Sequence, residues 1–198
     1  IDNPTKSLTY AEMILSDDRS DPEVISEAML VKARSLWKNQ DIDGAYQAYD
    51  EIKKQAKGEP QAEASYYIAN IQNQKEEFVK SNETIFWMID NLPSYPKWRF
   101  KSLLVMADNY FQTDDIFQAN YTLDFIIDAN YDPEIMEEAK SMKQAIERMQ
   151  EVEQRSQAEQ DSILNETVIE IDETEIGEGE NEELEEEAGR ITEDVSSI

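Results

Sequence analysis

Carboxylates are the residues of this sequence with the widest scope for chemistry. Aspartate and glutamate supply 45 of its 198 residues, whereas histidine and cysteine are absent. Without histidine the commonest general base and metal ligand are missing, which excludes serine–histidine and cysteine–histidine nucleophilic catalysis. Without cysteine there are no disulfides and no thiolate metal sites, and the redox compartment is left open. What remains is paired acids, such as Asp17-Asp18, Glu76-Glu77 and Asp114-Asp115. Such pairs hydrolyse glycosides when a carboxyl of raised pKa faces an ionised one across a cleft. Here the pairs fall at helix starts and turns, where the helix dipole and capping favour acids. No catalytic residue is therefore assigned, and the chain reads as a binding protein, not an enzyme. Asp41-Ile42-Asp43-Gly44 begins like a calcium loop but lacks the later ligands, so it reads as a turn. With no phosphate-binding glycine loop and no basic stripe with interleaved aromatics either, neither a metal nor a cofactor is expected.

The elements beneath those acids repeat. Ala33 and Ala45, Ala69 and Ser81, and Ala107 and Ala119 are three pairs of small residues, each twelve apart and recurring at offsets of 36 and 38. Bulky apolar residues keep the same phase. Ile42, Phe78 and Ile116 lie three before the second small residue. Tyr49, Ile85 and Leu123 lie four after it, and Ile52, Met88 and Ile126 seven after. That spacing is helical. Leu36, Gln72 and Tyr110 share one further phase, in which Gln72 departs. Each unit reads as two helices, in the second unit Gln61 to Gln74 and Glu77 to Leu92, stopped by Pro93 and Pro96. Gly58-Glu59-Pro60 separates the first unit from the second. Alanine or serine at the paired positions lets two helices approach closely, and the bulky positions fill the grooves on either side.

This pattern resembles the tetratricopeptide repeat, most clearly in Ala62-Glu63-Ala64-Ser65-Tyr66-Tyr67-Ile68-Ala69-Asn70 followed by Phe78, Ser81, Ile85, Met88 and Pro93. The resemblance covers about residues 26 to 133. It implies an all-α fold, a right-handed superhelix of helical hairpins in three repeats over about 22–60, 61–96 and 97–132, and a generic protein-binding role. The lengthened repeats, tyrosine-rich first helices and acidic end look most like envelope-associated repeat proteins of Gram-negative bacteria, which implies the periplasm or the outer-membrane periphery, with the cytoplasm also open. The family's inward-facing positions fall on Leu30, Arg34, Trp37 and Lys38 in the first repeat, on Tyr66, Asn70 and Asn73 in the second, and on Lys101, Leu104, Asp108 and Phe111 in the third. Aromatic anchors, amides and a few charges are the composition of a hot-spot surface. An alternative stays open in which Trp37, Tyr66 and Phe111 are core. Arg34, Asn70 and Lys101 partly resemble a clamp by which one subtype grips a C-terminal carboxylate. Leu30 and Val105 occupy positions where that clamp has polar members.

The flanks complete the layout. Within residues 1–20, Pro4 to Ser16 reads as one amphipathic helix, either the second helix of a preceding repeat or an N-terminal cap. The former makes the chain the C-terminal part of a longer array. The opening Ile1-Asp2-Asn3-Pro4 shows no signal-peptide pattern. Asp132-Pro133 opens a long helix over 133–162 with a stripe of Ile135, Ala139, Met142, Ile146 and Met149, which suits a capping helix covering the last exposed core edge. A coiled-coil seam is the competing reading. Residues 163–198 hold 14 acids against Arg190 alone, a net −13 out of the chain's −27, and are expected to be a disordered acidic tail. Such charge repels nucleic acid and anionic membranes and favours basic partners. No apolar run approaches the ~20 residues of a membrane-spanning helix, so membrane insertion is not expected. The expected function is a non-catalytic scaffold holding a protein or peptide along its concave groove within a larger assembly. The alternatives are an acidic, chaperone-like or solubilising module that works through its tail, and a polysaccharide-binding protein or carboxylate-dependent hydrolase of the envelope.

Overall fold

In a computed structural model, residues 3–17, 19 and 21–163 are described, and all regular structure among them is helical. The expectations for the acidic tail beyond Ile163 and for Asp18 lie outside these residues. The chain divides into two compact units, Ile1–Ile146 and Glu147–Ile198. The first holds α1 (Pro4–Leu15), α2 (Pro22–Lys38), α3 (Ile42–Gln55), α4 (Glu59–Gln74), α5 (Phe78–Asn91), α6 (Pro96–Gln112) and α7 (Ile116–Ala129), followed by helical residues 133–146, here α8. In the second unit residues 147–163 are helical and, apart from the half-buried Gln150, exposed. No helix among the described residues is long and apolar enough to cross a membrane.

Local chemistry sets these boundaries. Asn3, Asp21, Asp41 and Asp115 each cap a helix by accepting a backbone N–H from the first turn, at 2.9–3.1 Å. Pro4, Pro22, Pro60 and Pro96 sit in first turns, where a missing N–H costs nothing. The Asp41-Ile42-Asp43-Gly44 segment, read from sequence as a turn, is one of these caps, with Asp41 Oδ1 accepting from the Gly44 amide at 3.0 Å. Gly58 enters α4 at φ 79°, ψ −143°, backbone open only to glycine, and a Cβ there would lie 3.1 Å from the Tyr95 hydroxyl.

The three pairs α2–α3, α4–α5 and α6–α7 are built alike. Ala33, Ala45, Ala69, Ser81, Ala107 and Ala119 all have 0% exposure, so each pair buries one of these small side chains from each of its helices. Tyr49, Ile85 and Leu123, with Ile52, Met88 and Ile126, are fully buried as well. The Ser81 hydroxyl donates to the Ala69 carbonyl at 2.8 Å, which satisfies the one polar side chain among the six. Gln72, out of pattern in the sequence, is buried and accepts from the Thr84 hydroxyl at 2.8 Å.

The turns repeat as well. Gln40, Glu76 and Asp114 take left-handed φ of 63°, 60° and 62°. The following amides of Asp41, Glu77 and Asp115 reach back to the carbonyls of Leu36, Gln72 and Tyr110 at 2.8–3.0 Å. That is a Schellman ending at the same place in every pair, made here without glycine.

Successive helices pack on one another, and α4 also packs on α6. Ile135, Ala139 and Ile146 of α8 join the core cluster of α6 and α7, with Met142 half-buried beside it. Burial stops there: Met149, expected in the same stripe, is exposed.

Candidate functional site

Three helices of the first unit present turn-spaced side chains to one cavity of about 300 Å³. Helix α4 contributes Tyr66, Asn70 and Asn73, α6 contributes Lys101, Leu104, Val105 and Asp108, and α8 contributes Glu138 and Met142. Steps of three or four residues place such groups on one helical face. The small residues set their depth, because Ala69 and Ala107 lie one residue from Asn70 and Asp108 on the core side of the same helices.

The walls are fixed by hydrogen bonds that run into the core. The Asn73 amide donates to Asp108 Oδ2 at 2.6 Å and to Asn109 Oδ1 at 2.9 Å. The fully buried Asn109 amide in turn donates to the Ser81 hydroxyl and to Asn82 Oδ1, both at 2.8 Å. From Asp108 at the cavity to the Ala69 carbonyl, one chain of polar contacts crosses α6, α4 and α5. The Asn70 side chain, by contrast, has no hydrogen-bond partner among the described residues. Its amide offers a donor and an acceptor to whatever occupies the cavity.

The charges here are few and separated. Lys101 Nζ lies 5.9 Å from the Tyr66 ring and 5.8 Å from the Trp98 ring, held by cation–π attraction. Asp108 is bonded by Asn73 and, at 3.3 Å, by Gln112. Burial pushes the Tyr66 phenol up to about 12, with Tyr67 and the Glu138 carboxylate adding to the shift. The cavity therefore combines an apolar floor (Leu104, Val105, Met142), one free amide, one lysine and two acids. That suits a mixed polar–apolar ligand. Among the described residues no group of three carboxylates is placed to hold a metal ion.

Of the eleven inward positions expected from sequence, Tyr66, Asn70, Asn73, Lys101, Leu104 and Asp108 meet in this cavity. Leu30 and Arg34 line a separate depression of about 530 Å³ with Glu23 and Glu27. The Arg34 guanidinium is already engaged: Nε and Nη2 donate to Glu63 Oε1 and Oε2, each at 2.5 Å. Trp37 packs edge-to-face on Tyr67 at 5.5 Å, Phe111 packs on the core, and Lys38 is exposed outside both depressions. Trp37 and Phe111 are half-buried and pack against hydrophobic clusters, as Tyr66 also does where it lines the cavity. Glu138 was missed as a wall, although it stands four residues before Met142. Glu63 was missed too, since nothing local marks a carboxylate inside an alanine-rich helix as buried.

No protein-family model matches this chain, and neither the curated proteins nor the solved structures contain a match to it.

Proposed function

We propose that this chain is a non-catalytic tetratricopeptide-type scaffold, an array of helical hairpins that holds a protein or peptide partner against the inner faces of α4, α6 and α8 within a larger assembly. The single observation that carries this reading is the convergence of Tyr66, Asn70, Asn73, Lys101, Leu104 and Asp108 on one cavity, with Asn70 unpaired. Three equivalent helix pairs, with matching buried small residues and matching left-handed turn residues, support the repeat architecture. Side chains already fixed by the core lose little entropy when a partner binds, which is how a stacked-helix surface gains affinity.

The test is capture from extract by the full chain, beside the Asn70→Ala/Lys101→Ala variant and a chain lacking residues 165–198, with the captured proteins identified by mass spectrometry. A groove binder keeps its partner after the tail deletion and loses it in the double variant. Loss with the tail alone transfers the function to the acidic segment. Binding or turnover on a glycan panel supports the envelope-polysaccharide reading instead.

A further inference from the structure

The equivalence of the three helix pairs makes α3 and α5 internal controls for α7. On α3, the solvent face at successive four-residue steps carries Asp43, Gln47 and Glu51, all exposed. The same positions on α5, 36 residues later, are Val79, Glu83 and Trp87. On α7, a further 38 residues on, they are Phe117, Tyr121 and Phe125. These three are 75%, 65% and 50% exposed. Phe117 and Tyr121 stack with centroids 6.4 Å apart, and Phe125 lies 6.2 Å from Phe100. The fold does not ask for aromatic residues here, because α3 forms the same structure with polar ones. Three rings expose on the order of 400 Å², at 150–250 Å² each when whole, about half of the ~800 Å² that each side of an ordinary interface buries.

The charge around the rings selects the occupant. From Asp114 to Asp132 the chain has Asp114, Asp115, Asp124, Asp128 and Asp132 and no lysine or arginine; Lys143 of α8 pairs with Asp124, and Asp115 and Asp132 cap helices, which leaves Asp114 and Asp128 as the carboxylates open to a partner's cations. On α5 the equivalent ring is already taken: Lys53 Nζ lies 4.6 Å over Trp87. Among the described residues no cation of this chain covers Phe117, Tyr121 or Phe125. A second copy of the chain would bring another −27 against this acidic rim.

We propose that the outward face of α7 is a docking surface for a basic amphipathic helix of a partner protein, whose apolar side covers the stacked rings while its lysines or arginines meet the ring faces and the flanking aspartates. This surface is separate from the cavity between α4, α6 and α8, and it stands whether or not that cavity binds a peptide.

The experiment uses the full chain and a synthetic leucine–lysine amphipathic helix, with its leucine–glutamate counterpart as control, read by fluorescence anisotropy at about 0.15 M ionic strength. The variant Phe117→Asp/Tyr121→Gln/Phe125→Glu gives α7 the residues that α3 carries. It adds two negative charges, so non-specific attraction to the lysine peptide can only grow. The expected result is that wild type binds the lysine peptide and not the glutamate one, and that the variant weakens binding at least about tenfold, the loss of a hot-spot aromatic cluster. The milder Phe117→Asp/Tyr121→Gln, which leaves the Phe125–Phe100 contact intact, is expected to show most of that loss with an unchanged melting temperature. Equal binding by wild type and variants, no binding by wild type, or equal binding of both peptides overturns the proposal. So does a wild-type dimer in sedimentation that the variants abolish, which would identify a second copy as the occupant.

Discussion

Replacing Arg34 by alanine isolates Glu63, the one buried charged residue among the described residues. Glu63 exposes only 3% of its side chain, while its partner Arg34 keeps 47%. Breaking a buried ion pair from one side costs about 3–5 kcal/mol, because a carboxylate is left desolvated and unpaired. Water entering the half-open arginine site brings that toward the lower end, about 3 kcal/mol. Urea unfolding followed by tryptophan fluorescence measures the deficit directly. Adding Glu63→Gln to the variant is expected to recover part of it, because a neutral amide costs less to bury than a lone carboxylate. A deficit below about 1 kcal/mol, or no recovery on adding Glu63→Gln, would place this pair among ordinary surface salt bridges and refute the argument.

Tyr49 is fully buried and its hydroxyl has no hydrogen-bond partner among the described residues; Tyr49→Phe is expected to stabilise the fold by about 1 kcal/mol, the desolvation cost of a lone hydroxyl, seen as a higher urea midpoint with unchanged slope. Asp114 sits at φ 62°, which costs a non-glycine residue ~1–2 kcal/mol. Asp114→Gly is expected to return about 0.5–1 kcal/mol after glycine's extra unfolded-state entropy, read as a rise in melting temperature. Burial is the first cause raising the Tyr49, Tyr66 and Tyr67 phenols above their usual range, Tyr66 to about 12. Because the folded values exceed the unfolded ~10, their stabilisation is complete below pH 10 and is lost as pH climbs toward about 12. Melting temperature is therefore expected to fall over that window, together with a rise in phenolate absorbance.

How far the sequence could be read depended on whether a residue's neighbours lay on its own helix. The small-residue pairs Ala33–Ala45, Ala69–Ser81 and Ala107–Ala119 were legible because the twelve-residue spacing repeats, and all six lie at zero exposure. The all-α class follows from the same periodicity. Gln72 looked like a break in the pattern because its partner Thr84 lies on the next helix. The left-handed residues of the turns were hidden because none of them is glycine. Arg34 looked like a groove residue because its type and phase allow it, and only packing in space shows it gripping Glu63. Trp37 stands half-buried against Tyr67 of the next helix pair, a contact that spacing along its own helix does not reveal. Met149 continued the helical stripe by spacing, but a stripe stays buried only as far as there is a neighbour to cover it.

The polar chain through Asn73, Asn109 and Ser81 has a consequence for how this protein can drift. Each of the three supplies a donor or an acceptor that the next one uses. A lone hydrophobic replacement strands its neighbours' polar atoms in a dry interior. Substitutions there must arrive as matched sets, while Phe117 and Tyr121 on the outward face of α7, 75% and 65% exposed, can change one at a time without touching the fold. The molecule thus separates what it must conserve in order to stand from what it can vary in order to choose its company.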